Sequence, residues 1–195
     1  NHIYDWNWEK LKKPNTEVEK PEKPNGKRIL TEEEMVRRNN EELVATWGNL
    51  VQRVFTQIQN NKDAITTPSS LEPVDEELLK EADKAFIEIG KHIEAVELKT
   101  ALQESMRYVS KVNVYLNETE PWKVIKKNED RAGRILYTAL QAIDACANLL
   151  YPFMPTNSRK VTSAIQKDTE NFWGLNDIKI GAELIKIGHL FKKFD

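Results

Sequence analysis

A chain of 195 residues with 39% hydrophobic and 31% charged residues has enough apolar material for one buried core. No apolar run approaches the roughly 20 residues needed to span a bilayer, which excludes a helical membrane protein. The formal net charge of −2 excludes bulk attraction to nucleic acid, so any such function requires a local basic patch. One cysteine, Cys146, excludes an internal disulfide and a multi-cysteine zinc site, and makes a reducing, cytoplasmic setting the default expectation. The chain opens on Asn1 and not Met, so the expectation is a piece of a longer polypeptide.

Residues 1–30 read as an irregular arm or linker. The stretch KKPNTEVEKPEKPNGKR holds three prolines, an Asn-Gly turn signal and mixed charges with no apolar period. Ahead of it, YDWNWEKL offers Tyr4, Trp6, Trp8 and Leu11 for docking on a neighbouring surface. From residue 31 onward the texture is that of a single domain, 31–195. Thr31 and Glu34 have capping-box spacing, and Leu43, Trp47, Leu50, Val54 and Ile58 then recur at helical period, predicting a first helix over 32–60 with Gly48 inside it. TTPSSLEP predicts a loop. A second helix is expected from about Asp75 to His92. The third carries a heptad, Leu98, Leu102, Ser105, Val109, Val112 and Leu116, and ends before Pro121, because proline disfavours helical geometry in the residue preceding it. A fourth runs from about Asn128 to Tyr151 with one broad apolar face. After YPFMP a shorter fifth begins, and the tail FWGLNDIKIGAELIKIGHLFKKFD is expected to wrap back over the others. The predicted fold is an all-α bundle of about five helices, with an irregular N-terminal arm and a wrapping C-terminal tail.

Two features stand apart from this core pattern. On the first helix, Asn49 and Arg53 lie one turn apart, roughly opposite the apolar stripe, and form a compact donor and acceptor pair able to read a base edge. In NETEPWKVIKKNEDRAGR, Pro121 fixes the backbone as the third helix ends, so Trp122 sits at a turn and off any periodic core face. Lys123, Lys127, Arg131 and Arg134 follow at helical spacing, with Lys126 beside them. An aromatic plate next to a cationic stripe suits single-stranded nucleic acid, whose bases stack on the ring while cations hold the phosphates. The same residues also fit a tryptophan that plugs the bundle end beside solvated charges. Composition and spacing leave both readings open.

Three stretches carry a resemblance. RRNNEELVATWGNLVQRV (37–54), EAVELKTALQESMRYVSKVNVYLNETEPW (94–122) and LLYPFMPTNSRKV (149–161) resemble, in order and spacing, the C-terminal anticodon-binding domain of the methionyl-tRNA synthetase family, class I aminoacyl-tRNA synthetases. The closing HLFKKFD is also similar to that family. The likeness covers most of residues 31–195. It implies a helical bundle that grips the anticodon loop of methionine tRNA and reads CAU. Asn49 and Arg53 would then hydrogen-bond the first anticodon base, and Trp122 with Pro121 would stack against the splayed bases. RNA loops are read in this way generally. Lys123, Lys126, Lys127, Arg131 and Arg134 are the candidate phosphate contacts. Ala45 departs from the family, which often has Asn there, so one contact is expected to be missing.

The family's catalytic signatures, a His-Ile-Gly-His-like element and a Lys-Met-Ser-Lys-Ser-like loop, do not occur in this sequence, and its seven glycines form no phosphate-cradling loop. The resemblance therefore implies a catalytically silent chain whose parent ligase uses ATP and Mg in a catalytic domain of the same polypeptide. No metal site is expected, since His2, His92 and His189 lie far apart without ligand spacing, and Cys146 on a small-residue face suits packing. Two alternatives remain at this stage. One is the anticodon domain of a valyl, isoleucyl or leucyl synthetase; the other is a helical protein-interaction module docking through Trp6, Trp8 and Trp122.

Overall fold

The computed structural model describes residues 31–61, 68–165, 172–178 and 184–194. The chain divides into one unit of Asn1–Thr31 and another of Glu32–Asp195. The expected arm at residues 1–30, with Trp6 and Trp8, lies outside the described residues, as does His2.

The second unit is a helical bundle. Helix α1, Glu32–Arg38, runs into a π-helical stretch, Asn39–Gly48, and on into α2, Asn49–Asn60, through caps that keep helical torsions. The sequence reading expects a regular helix here, and the wider turns of the middle stretch are a departure from it. The Thr46 hydroxyl donates to the carbonyl of Glu41, five residues back, at 2.8 Å, which matches the π spacing. Trp47, Leu50, Val51, Val54, Phe55 and Ile58 are buried on the inward face.

Helix α3, Pro73–Glu94, starts two residues before Asp75. Pro73 occupies the first helical position, where its missing N–H is no loss, and Glu72 and Asp75 form a reciprocal capping box. Helix α4, Leu98–Thr119, buries Ser105, Val109, Val112 and Leu116 as the heptad predicts. Leu102 is only partly buried against the core, and Leu98, in the first turn after the α3–α4 connection, is 52% exposed. The single turn α5, Pro121–Val124, leads to α6, Glu129–Leu150, capped by Asn128, whose side chain accepts from the Arg131 amide at 3.0 Å. Helix α7 is Pro155–Ala164.

The fourth predicted helix is the one the sequence describes least well. In place of one buried face, α6 is buried on all sides from Ile135 to Leu150, packed among α2, α3, α4, α5 and α7. Its polar residues are covered by the tail. Asn176 donates to Asp144 Oδ2 at 2.7 Å, and Gln141 donates to the carbonyl of Asn176 at 3.2 Å. The Trp173 indole N–H donates to the Phe86 carbonyl at 3.1 Å while its ring meets Phe86 edge-on. The tail does wrap the bundle as expected. Its last described segment lies along the first helix: Asn40 donates to the Phe194 carbonyl at 2.7 Å and accepts from the Phe194 amide at 3.0 Å, while Asn39 donates to the Lys192 carbonyl at 3.0 Å. Gly48 makes this approach possible, because a Cβ there would sit 3.2 Å from the Leu43 carbonyl oxygen and 3.3 Å from Phe191 Cδ2. Cys146 is fully buried, and burial pushes its thiol well above the usual range, as packing and not chemistry requires. No described helix is long and apolar enough to cross a membrane.

Candidate functional site

Trp122 is positioned by the end of α4. Glu120 adopts a left-handed conformation, φ 41° and ψ 58°, and Pro121 then starts α5. The proline explains the kink: it denies Glu120 the right-handed helical region, and the left-handed turn redirects the chain. Pro121 is buried as the anchor, while Trp122 is partly buried and packs against the core. The two readings left open by the sequence are thus partly combined, since the indole both closes the bundle and shows a surface.

Arg53 comes to Trp122 from α2. Its guanidinium carbon lies 5.1 Å from the centre of the indole, a cation–π stack. Its Nη2 donates to Asn117 Oδ1 at 2.9 Å. Asn117 is not among the residues singled out from the sequence, although it lies inside the quoted NETEPW. The signal for it was an asparagine one turn after Asn113 on the polar side of the α4 heptad. Asn113 serves the same junction, donating to the carbonyls of Thr46 at 3.4 Å and Val109 at 3.3 Å. Asn49 is exposed one turn before Arg53, about 6 Å along the axis, with no side-chain hydrogen bond among the described residues. Asn49, Arg53 and Trp122 therefore share one side of the bundle, with Arg53 and Trp122 in direct contact.

The cationic stripe divides. Lys126 and Lys127 are exposed and without ion pairs among the described residues. Lys123 is exposed and pairs with Glu120 at 2.7 Å, and Arg134 pairs with Asp130 in the first turn of α6. Arg131 leaves the stripe altogether. Its side chain is 12% exposed and points inward, gripping the fully buried Asp75 with Nη1 at 2.5 Å and Nη2 at 3.0 Å, and Glu72 with Nε at 2.9 Å. The Tyr115 hydroxyl donates to the same Asp75 carboxylate at 2.7 Å. A buried carboxylate demands a cation and donors, and Arg131 is the nearest cation that can reach it from α6. The phosphate role expected for Arg131 gives way to this structural one. Among the described residues no group of three His, Cys, Asp or Glu side chains could hold a metal ion.

With this geometry in place, comparison with known proteins is decisive. Residues 65–195 match the family described as the anticodon binding domain of methionyl tRNA ligase. The chain belongs to that family. Asn49 and Arg53 precede the matched residues, while Pro121, Trp122 and the cations that follow lie within them. The anticodon-binding domain is 44% identical over 128 residues to the methionine–tRNA ligase of Chloroflexus aggregans, covering 66% of this chain and 21% of that protein. It is 41% identical over 160 residues to that of Bifidobacterium longum subsp. infantis, covering 81% of this chain and 25% of that protein. The chain thus spans about a fifth to a quarter of the length of these curated relatives. Among solved structures, the ligand-free methionyl-tRNA synthetase of Mycobacterium tuberculosis superposes with a TM-score of 0.77 at 23% identity, over 85% of this chain and 35% of that one. That likeness establishes a shared fold.

Proposed function

We propose that this chain is the tRNA-recognition part of a methionine–tRNA ligase, binding the anticodon loop of methionine tRNA and reading CAU. The observation that carries the reading is the stack of Arg53 on a part-exposed Trp122, one turn from an unpartnered Asn49. The chemistry of a cytosine edge fits this set. Its exocyclic amine needs an acceptor, which the Asn49 amide oxygen supplies, and its ring nitrogen and carbonyl need donors, which amide and guanidinium N–H groups supply. The indole offers a stacking face that is worth about 1–3 kcal/mol per base. Lys126 and Lys127 are free to meet phosphates.

In this reading the domain performs no chemistry itself. Methionine activation with ATP and Mg belongs to a catalytic domain of the same cytoplasmic polypeptide, and anticodon binding positions the acceptor end of the tRNA there. The test is titration of anticodon stem-loops into the chain at two salt concentrations. The CAU loop should bind more tightly than loops altered at the first base, and more weakly as salt rises. Trp122→Ala should weaken binding by at least about 1 kcal/mol, and Arg53→Ala should reduce discrimination at the first base. A folded Trp122→Ala protein that binds the CAU loop as wild type does would refute the stacking role. Salt-insensitive binding to a protein, with no RNA affinity, would replace the reading with an interaction module.

A further inference from the structure

Beside Asn49, the first helix and the tail line a half-open pocket of about 280 Å3. That is close to the lower end of the roughly 300–1,000 Å3 found for small-molecule sites, a size for one compact planar group. Its walls are apolar, from Val44, Leu190 and Phe191, and its polar side chains are Asn49, Gln52 and His189. The three are not equivalent. Gln52 is committed to the tail backbone, donating to the Gly188 carbonyl at 3.1 Å. Asn49 and His189 are exposed, and neither side chain has a hydrogen-bond partner among the described residues. Two free side chains that can both donate and accept, held at an apolar pocket by a clamped backbone, form an arrangement suited to the polar edge of a heterocycle.

The geometry points to His189 as a further base-reading residue, sharing with Asn49 the pocket that takes the first anticodon base. This inference rests on the proposed anticodon-binding function and deepens it. A neutral imidazole carries one N–H donor and one acceptor nitrogen, so it complements either side of a pyrimidine edge that the Asn49 amide leaves unmet. The tail places it there. Gln52 holds Gly188, the bare Gly48 admits Phe191, and Asn39 and Asn40 fix the backbone at Lys192 and Phe194. Ala45, one turn before Asn49, brings no polar group to this part of the helix, and Arg53, stacked on Trp122 and bonded to Asn117, does not line the pocket, so the tail supplies the side chain that can join Asn49 inside it while Arg53 acts from outside.

The test uses the whole chain with anticodon stem-loops carrying cytosine or uracil at the first position. The variants are His189→Ala and His189→Gln, with melting curves to confirm that each is folded. His189→Ala should weaken the cytosine loop about fivefold or more and the uracil loop less, narrowing discrimination. His189→Gln, which keeps a donor and an acceptor, should recover part of the difference. If wild type discriminates and His189→Ala is unchanged, the inference is overturned while the anticodon function stands. An equal loss for both loops also overturns it, because His189 would then contact the backbone common to both. If wild-type protein binds neither loop, the underlying function fails and this inference with it.

Discussion

Replacing Arg131 with alanine isolates what the buried Asp75 requires. The carboxylate is fully buried, and Arg131 supplies two of its hydrogen bonds. In the variant Asp75 would keep the Tyr115 hydroxyl at 2.7 Å and the Glu72 amide at 3.1 Å, but no cation. Removing one partner of a buried ion pair costs about 3–5 kcal/mol. The two surviving donors place Arg131→Ala near the lower figure, about 3 kcal/mol. The contact with Glu72 adds little, since Glu72 is 48% exposed and water screens it. For a chain of this size each kcal/mol lowers Tm by about 2–4 °C, so a fall of about 6–12 °C is expected. Arg134→Ala, which breaks a more exposed pair with Asp130, should shift Tm by no more than a few degrees and serves as the control. Thermal and urea melts followed by far-UV circular dichroism measure both. A Tm for Arg131→Ala within two degrees of wild type would refute the claim that Asp75 depends on this cation, and would return Arg131 to the candidate phosphate contacts.

Further outcomes concern other parts of the bundle. Burial, reinforced by the hydrogen bond to Asp75, raises the Tyr115 phenol far above its usual range, and burial raises that of Tyr108. Both phenols are therefore protonated in the folded state where the unfolded chain ionises, so their contribution is complete below about pH 10 and declines as pH rises beyond it. Tyr115→Phe should lessen that alkaline decline by roughly 1.4 kcal/mol in total between pH 9 and 11, measured by urea melts across that range. Gly48→Ala should loosen the tail, because the new methyl group meets the immovable Leu43 carbonyl and the Phe191 ring; faster amide exchange at Phe191 and Leu190 would show it, and unchanged exchange would argue against close packing there. Cys146 should resist thiol reagents in the native protein and react only at the rate of unfolding, since burial both shields it and keeps it protonated.

How much of this was legible beforehand differs by element. The apolar periods of the first, third and fourth predicted helices place their ends within a few residues, because burial of one stripe and the stops at Pro121 and YPFMP are local signals. The π-helical stretch was not legible. Its first two residues, Asn39 and Asn40, bond to a tail 153 or 154 residues away, a setting that no window of sequence contains. The same is true of α6: its polar Gln141, Asp144 and Asn148 imply a wet face, but the fold brings Asn176 and the Gly174 carbonyl of the tail against them. At the site, Trp122 stood out by its position after Pro121, and Asn49 and Arg53 by the helical wheel. The inward turn of Arg131 is not legible, because spacing on its own helix reports which way a side chain leaves the axis, and not that a buried carboxylate waits on α3. Asn117 is silent in the sequence because its role comes from Arg53, 64 residues away and brought close only by the fold.

Helix α6 has neighbours on every side over most of its length. Its peptide groups consequently have no private route to water: no single strap can lift to expose them while the rest of the molecule stays in place. The slowest-exchanging amides of the protein should lie along this axle, near Ile143 and Cys146, and their exchange free energy should equal that of global unfolding. A perturbation anywhere around the circumference, from α2 beside the Arg53–Trp122 stack to α7 on another flank, meets the same rod.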